Sequence, residues 1–182
     1  MRRALQVQGP SRRTKRRERT CSLSFAPLSI GLSAIERLSL LQARFPDGIV
    51  VPEAVWREVV EGGGDRPGTH AVQTGGWIHR RPVPNPAWVR LLRAELDEGE
   101  AEAIVLAYEM GAGVVLLDER DARRTAERMG LRVLGTVGIL VWAKRTGRVE
   151  SLRADLDALV GRGRFRLSQA LRDRALREAG EA

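Results

Sequence analysis

Short apolar runs alternate along the chain with longer stretches of helical periodicity. The runs "GIVV" at 48–51 and "VVLL" at 114–117 are typical of strands buried on both faces of a parallel sheet. In stretches such as "GEAEAIVLAYEM" at 99–110, apolar residues recur every three or four positions, which is typical of amphipathic helices. Strands that alternate with helices predict an α/β domain with a largely parallel sheet.

The same pattern predicts the other elements. A first strand is predicted at 21–26 and a continuous helix at 32–45. The stretch 77–83 is predicted to be an edge strand because of its exposed charges and terminal prolines, and 61–76 a flexible glycine-rich loop. Further helices are predicted at 52–60, 86–96, 99–110, 119–130, 136–147, 150–160 and 167–179, with a short strand at 131–134.

Length and composition predict one globular domain in a reducing compartment. A chain of 182 residues with 43% hydrophobic content suits one buried core. The single Cys21 excludes an internal disulfide and a thiolate metal cluster. No apolar run approaches the roughly 18 residues that a membrane span needs. We therefore expect a cytoplasmic protein with no membrane partner, whose domain occupies residues 21–182.

The net charge of +8 is concentrated in the first 20 residues, which hold eight of the 31 basic residues, one of the 23 acidic residues and a net charge of +7. Three interpretations remain open: a disordered, solvated tail, a phosphate-binding arm, or a misplaced start or shifted frame in GC-rich, arginine-coding DNA. The phosphate-binding alternative assigns nucleic-acid contacts to Arg12, Arg13, Lys15, Arg16 and Arg17.

Three acids occupy positions where parallel α/β sheets bind ligands. Asp118 ends the strand at 114–117, Glu100 opens the helix at 99–110, and Glu58 follows the strand at 48–51 by two helical turns. Glu100 shares its helix face with apolar residues, so it is expected to be buried, whereas Glu102 and Glu109 lie on another face and are expected to be solvated. A carboxylate among apolar neighbours is unfavourable unless something compensates its charge.

A purely structural role in helix capping explains the positions of these acids equally well. Asp97 with Glu100, and Asp118 with Asp121, have the spacing of capping boxes at helix N-termini. Glu58 fits an ordinary surface helix position. Spacing alone leaves both the capping and the metal-binding alternatives open.

The stretches "GIVVPEAVWREVV" and "LDEGEAEAIVLAYEMGAGVVLLDERDARRTAERMGLRVLGTVGILVWAKRTG" resemble the PIN-domain superfamily, in particular a VapC-like prokaryotic branch catalogued as a domain of unknown function. The resemblance covers roughly residues 24–180. It implies a three-layer α/β/α sandwich with a mainly parallel central sheet. It also implies an Mg²⁺- or Mn²⁺-dependent ribonuclease that acts on single-stranded RNA, a small antitoxin partner, and a homodimer.

The resemblance carries the family's acids onto Glu58, Glu100 and Asp118 as catalytic residues and metal ligands, and a less constant acid onto Asp121. Crowded carboxylates repel one another until a hard cation such as Mg²⁺ neutralises them. In the family the metal orients a water for in-line attack on a phosphodiester. Thr136 in "GTVG" matches a polar position near the site and is expected to play a supporting role.

The first strand departs from the family pattern. The branch ends this strand with an aspartate central to the metal site, and Ser24 stands at that position in "LSFAPLS". The alignment also needs one extra residue near Ser29, and no aspartate occurs before Asp47. Serine removes one negative charge and at least one oxygen ligand. We therefore expect an impaired metal-dependent ribonuclease; the alternative is a non-catalytic PIN-fold module that binds RNA or a protein partner.

Overall fold

A computed structural model describes residues 21–23, 31–61 and 69–182. Ser24 and the basic residues of the first 20 positions lie outside the described residues. The predictions about the metal ligand missing at Ser24 and about phosphate contacts by the tail therefore remain predictions.

The centre of the domain is a five-stranded sheet in which every pairing is parallel. The strands are β1 (Cys21–Leu23), β2 (Ile49–Pro52), β3 (Ile78–Arg81), β4 (Val114–Leu116) and β5 (Val133–Leu134). Their order is β3-β2-β1-β4-β5, so the chain changes direction across the sheet at β1, where crevices for ligands form at the carboxyl edge. The predicted edge strand is confirmed as β3.

Helices connect the strands and continue to the C-terminus. They are α1 (Ser39–Arg44), α2 (Glu53–Trp56), which continues as a π-helical turn (Arg57–Glu61), α3 (Thr69–Thr74), α4 (Pro86–Leu92), α5 (Glu98–Met110), α6 (Arg120–Arg128), α7 (Thr136–Arg145), α8 (Leu152–Gly161) and α9 (Gln169–Ala179). Residues 31–34 are also helical.

Two apolar cores lie on opposite faces of the sheet. Leu116 of β4 belongs to the core that contains α1, α7, α8 and α9, whereas Val115 of β4 and Leu117, which follows it, belong to the core that contains α4, α5 and α6. This alternation follows from the two-residue period of a strand. The predicted three-layer α/β/α sandwich is therefore confirmed. No helix in the described part of the chain is long and apolar enough to cross a membrane.

Two local predictions were wrong. The helix predicted at 32–45 is interrupted at Glu36, which has φ 58°, and the Arg37 N–H donates to Leu32 O at 2.7 Å, as in a Schellman helix end. The Arg37 side chain then bonds buried Asp155 of α8 at 3.1 Å, a distant partner that local periodicity does not reveal. The loop predicted at 61–76 contains α3, since "THAVQT" after the glycines can form helical turns.

Glu181 near the C-terminus accepts hydrogen bonds from the backbone at the start of α8. Its carboxylate accepts hydrogen bonds from Arg153 N at 2.9 Å and Leu152 N at 2.7 Å, and it forms an ion pair with Lys144 at 2.9 Å. The Arg153 N–H, Lys144 and the Leu152 N–H together lower the pKa of Glu181 from 4.5 to about 2. The charged carboxylate thus caps α8 from a distant part of the chain.

We expect Glu181→Gln to lower the melting temperature at neutral pH by a few degrees, since a helix cap contributes about 1 kcal/mol and this corresponds to roughly 2–4 °C at this size. Because the folded pKa is depressed, the stabilisation is present above pH 4.5 and is lost as pH falls towards 2. Thermal denaturation followed by circular dichroism should show the difference shrinking over that window. Glu127→Gln, a change at an exposed position of α6, is the control, and a pH-independent difference would contradict the capping role of Glu181.

Candidate functional site: the acidic carboxyl edge of the sheet

Glu100 lies at the start of α5 and is only 6% exposed. Its backbone N–H donates to Asp97 Oδ1 at 2.8 Å, and the Asp97 N–H donates to Glu100 Oε2 at 3.4 Å. These reciprocal bonds form a capping box, so the capping role predicted for this pair is confirmed. The capping role leaves the burial of a carboxylate unexplained, because capping boxes form equally well at exposed helix ends.

Burial, followed by the negative charge of Asp97, raises the pKa of Glu100 from 4.5 to about 7. The charges of Glu119 and Asp121 raise it further, while the hydrogen bond from the Asp97 N–H acts in the opposite direction. Glu100 therefore lies within electrostatic reach of acids from its own helix start and from the β4–α6 junction. A carboxyl group whose pKa is raised by burial and by neighbouring acids is a candidate for a functional site.

Asp118 contacts the helix that follows the neighbouring strand. Thr136 N–H donates to Asp118 Oδ1 at 2.8 Å, and Thr136 Oγ1 donates to Oδ2 at 2.5 Å. The predicted capping box of Asp118 with Asp121 is wrong, because α6 begins at Arg120 with Glu119 as its N-cap residue. Asp118 instead caps α7, since the ends of β4 and β5 meet at the same edge of the sheet.

Burial raises the pKa of Asp118 above its usual value of 3.8, although both hydrogen bonds from Thr136 and the nearby guanidinium of Arg123 lower it. The charge of Glu119 raises the pKa of Asp118 and also that of Glu100. The charge of Glu119 therefore acts on both buried Glu100 and half-buried Asp118.

Glu58 lies in the π-helical turn after α2, a type of turn that is frequent at functional sites. The residue is exposed, and its carboxylate points towards the start of α5: a methyl group built on Gly99 would lie 3.7 Å from Glu58 Oε2. The structure thus brings Glu58 beside the residue that precedes Glu100.

The remaining predicted acids have different surroundings. Asp121 is exposed at the start of α6 and contributes its charge to the surroundings of Glu100. Glu109 is exposed, as predicted. The prediction that Glu102 is solvated was wrong: it is half-buried, and its Oε2 accepts the Ala54 N–H at 2.8 Å, because α2 packs across the first turns of α5 and offers an uncapped N-terminus there.

The described side chains do not by themselves form a metal site with three ligands. Within residues 31–61 and 69–182, no group of three or more His, Cys, Asp or Glu side chains is arranged to hold a metal ion. Both oxygens of Asp118 also accept hydrogen bonds from Thr136. The described acids therefore lie near the carboxyl edge of the sheet, but they would not bind Mg²⁺ without a further ligand.

Two further residues shape the surroundings of Asp118. Arg123 Nη1 donates to Leu117 O at 2.9 Å. A β-carbon on Gly135 would lie 2.8 Å from Asp118 Oδ1 and 2.9 Å from Arg123 Nη1, so only glycine fits there. The sequence pattern did not predict the hydrogen bond of Arg123 or the close packing at Gly135. The one signal in the sequence was a glycine before a predicted helix, and glycine is common at that position in helices that make no such contact.

The fold and these side chains define a parallel α/β/α domain with acids gathered at the carboxyl edge of its sheet. Residues 26–181 match the family described as DUF3368: PIN domain. The chain therefore belongs to this PIN-domain family, which confirms the resemblance, and PIN domains generally include nucleases. No curated protein and no solved structure matches the chain.

We expect Gly135→Ala to lower the free energy of unfolding by about 1–3 kcal/mol, the usual range for an overpacked position. The new methyl group would contact Asp118 Oδ1, Arg123 and, at 3.2 Å, the backbone oxygen of Leu117. Gly161→Ala is the control, since nothing lies within 4 Å of its added methyl group. Urea unfolding measures both, and equal stability of the two variants would contradict the packing described here.

Glu100→Gln should stabilise the protein at pH 8 and leave its stability unchanged at pH 4. The folded pKa of about 7 exceeds the unfolded value of 4.5, so stability falls as pH rises through that window. The gain at pH 8 should be at most about 3 kcal/mol, because one pKa unit corresponds to 1.36 kcal/mol. Glutamine retains the capping box.

Urea unfolding in EDTA at the two pH values tests the effect of Glu100→Gln without metal. Glu109→Gln, an exposed change on the same helix, should leave stability close to that of the parent at both pH values. A loss of stability at pH 8 in Glu100→Gln would show that the carboxylate is favourable in its charged form.

Proposed function

We propose that the chain is a VapC-like PIN-domain endoribonuclease whose metal-dependent hydrolysis is impaired because Ser24 replaces the first acidic ligand. The single observation that carries the proposal is the buried Glu100, with its pKa raised to about 7, within reach of the acids at the β4–α6 junction. A fold that needed only a helix cap at this position would not need to bury the carboxylate among other negative charges.

The position of the acids supports the proposal. Glu58 lies in the π-helical turn of the helix that follows β2, Glu100 in the first turn of α5, and Asp118 just after β4. In the sheet, β1 lies between β2 and β4. The residue that follows β1 in the sequence is Ser24, so a carboxylate at that position would follow the strand that lies between β2 and β4.

The impairment follows from the chemistry of the ligands. Mg²⁺ and Mn²⁺ take hard oxygen ligands, and their affinity depends on the number of carboxylates and on their total charge. Serine offers a neutral oxygen at best. The described residues offer no group of three ligands, so a missing carboxylate would not be compensated by another acid in that part of the chain.

A second candidate function is a PIN-fold module that binds RNA or a small antitoxin-like protein without cleaving it. The observation that favours it is that both oxygens of Asp118 accept hydrogen bonds from Thr136, an arrangement that stabilises the fold without any metal. The two candidates differ in metal dependence, because binding driven by basic residues responds to salt and is indifferent to chelation.

We expect the parent protein to show little or no Mn²⁺-dependent cleavage of single-stranded RNA, and Ser24→Asp to gain it. The new carboxylate would return one ligand and one negative charge next to Glu58, Glu100 and Asp118. Cleavage of a labelled RNA pool, with Mn²⁺ or with EDTA, measures the gain.

The controls separate a restored site from contamination. Ser24→Asp combined with Asp118→Asn should lose the gain, and Ser24→Asn, which restores size without charge, should stay close to the parent. Robust metal-dependent cleavage by the parent would show that the first acid is dispensable. No cleavage by Ser24→Asp on any RNA would favour the binding module.

A further inference from the structure

A groove opens beside Asp118, between α7, α9 and the loop that joins α8 to α9. Its polar lining contains Arg123, Arg166 and Arg174, against the two acids Asp118 and Glu178. Arg174 forms an ion pair with Glu178 at 2.8 Å, and Asp118 is bonded to Thr136. Arg123 lies close enough to Asp118 to lower its pKa, so Arg166 is, among the described residues of the groove lining, the one guanidinium that the two acids leave without an acidic partner.

The loop at 162–166, "RGRFR", contributes Phe165 and Arg166 to the lining of the groove, and it carries two further arginines next to them in the sequence. Arg162, Arg164 and Arg166 are all exposed, and none of them forms an ion pair with a residue in the part of the chain that the structure describes. Phe165 is half-buried against the core, and Leu171 across the groove is 40% exposed. The aromatic ring of Phe165 thus lies in the sequence between two arginines that form no ion pair with any residue that the structure describes, and Leu171 forms an apolar surface on the other side of the groove.

The loop has a fixed shape. Phe165 N–H donates to Leu159 O at 3.1 Å, and a β-carbon on Gly163 would lie only 2.6 Å from the same oxygen. Arg164 has φ 50°, a left-handed conformation that costs about 1–2 kcal/mol in a residue with a side chain. Backbone hydrogen bonds to the end of α8 hold this conformation, so the loop presents its arginines in a defined geometry.

We propose that the 162–166 loop and the adjoining groove bind the sugar–phosphate backbone of single-stranded RNA and direct it towards Asp118. The inference rests on the proposed function, because it names the path by which RNA reaches the acidic edge. Guanidinium groups pair with phosphate oxygens through two parallel hydrogen bonds, and apolar or aromatic surfaces accept unstacked bases without sequence preference.

An acidic peptide is the competing ligand, because its carboxylates could form ion pairs with the same arginines. The observation that favours RNA is the continuity of the groove with Asp118, at the edge where RNA hydrolysis is proposed. The aromatic side chain between two arginines also suits bases, for which an acidic peptide has no counterpart.

The test measures binding without cleavage. Labelled oligouridine is titrated with the full chain in EDTA, and anisotropy gives the binding constant at several salt concentrations. Arg164→Gln with Arg166→Gln should reduce the slope of log K against log salt by about 1.4, because each phosphate contact on a single strand contributes about 0.7. The basic residues of the first 20 positions stay unchanged in every variant, so their contribution cancels.

Arg145→Gln with Arg148→Gln is the matched control. It removes the same charge from exposed positions at and just beyond the other end of α7 and should leave the slope unchanged. Equal slopes in the loop variant and the parent, a parent that does not bind RNA, or loop-dependent binding of polyglutamate in place of RNA would each overturn the proposal. Failure of the nuclease proposal would appear separately, as absent cleavage by Ser24→Asp with intact loop-dependent binding.

Discussion

The hydrogen bonds between Asp118 and Thr136 join the end of one strand to the start of the helix that follows its neighbour. Position 135 must be glycine, because a β-carbon there would lie too close to Asp118 and to Arg123. The Arg123 side chain also donates a hydrogen bond to the backbone oxygen of Leu117. The acidic edge and the basic groove both border Asp118. A shift at this joint would therefore displace the candidate acids and the proposed RNA path together.

The acidic edge opposes folding at neutral pH. Burial and neighbouring charges raise the pKa of Glu100, and burial raises that of Asp118. Hydrogen bonds offset part of this cost, since the Asp97 N–H donates to Glu100 Oε2 and Thr136 donates to both oxygens of Asp118. Local structure that opposes stability is characteristic of sites retained for chemistry. The proposed metal site would account for this cost, because a bound cation would neutralise the two carboxylates.

Periodicity predicted the parallel sheet and its edge strand, because these depend on which faces are apolar, whereas the three layers were predicted from the family resemblance. It also predicted the burial of Glu100 from its phase on α5. It could not predict the partner of Asp118: the sequence offered a local capping box, whereas the observed bond joins residues 18 positions apart that meet only once β4 and β5 pair. The Glu102 contact with α2 and the interruption at Glu36 likewise depend on packing between elements distant in sequence.

The most direct test of the missing ligand is Mn²⁺ binding by the parent and by Ser24→Asp, measured by electron paramagnetic resonance of free Mn²⁺. We predict weak binding by the parent and at least about tenfold tighter binding by Ser24→Asp, the effect of about 1.4 kcal/mol from one added carboxylate ligand. Asp118→Asn should remove that gain. Equal affinity in parent and Ser24→Asp would contradict the claim that the first acid is the ligand this site lacks.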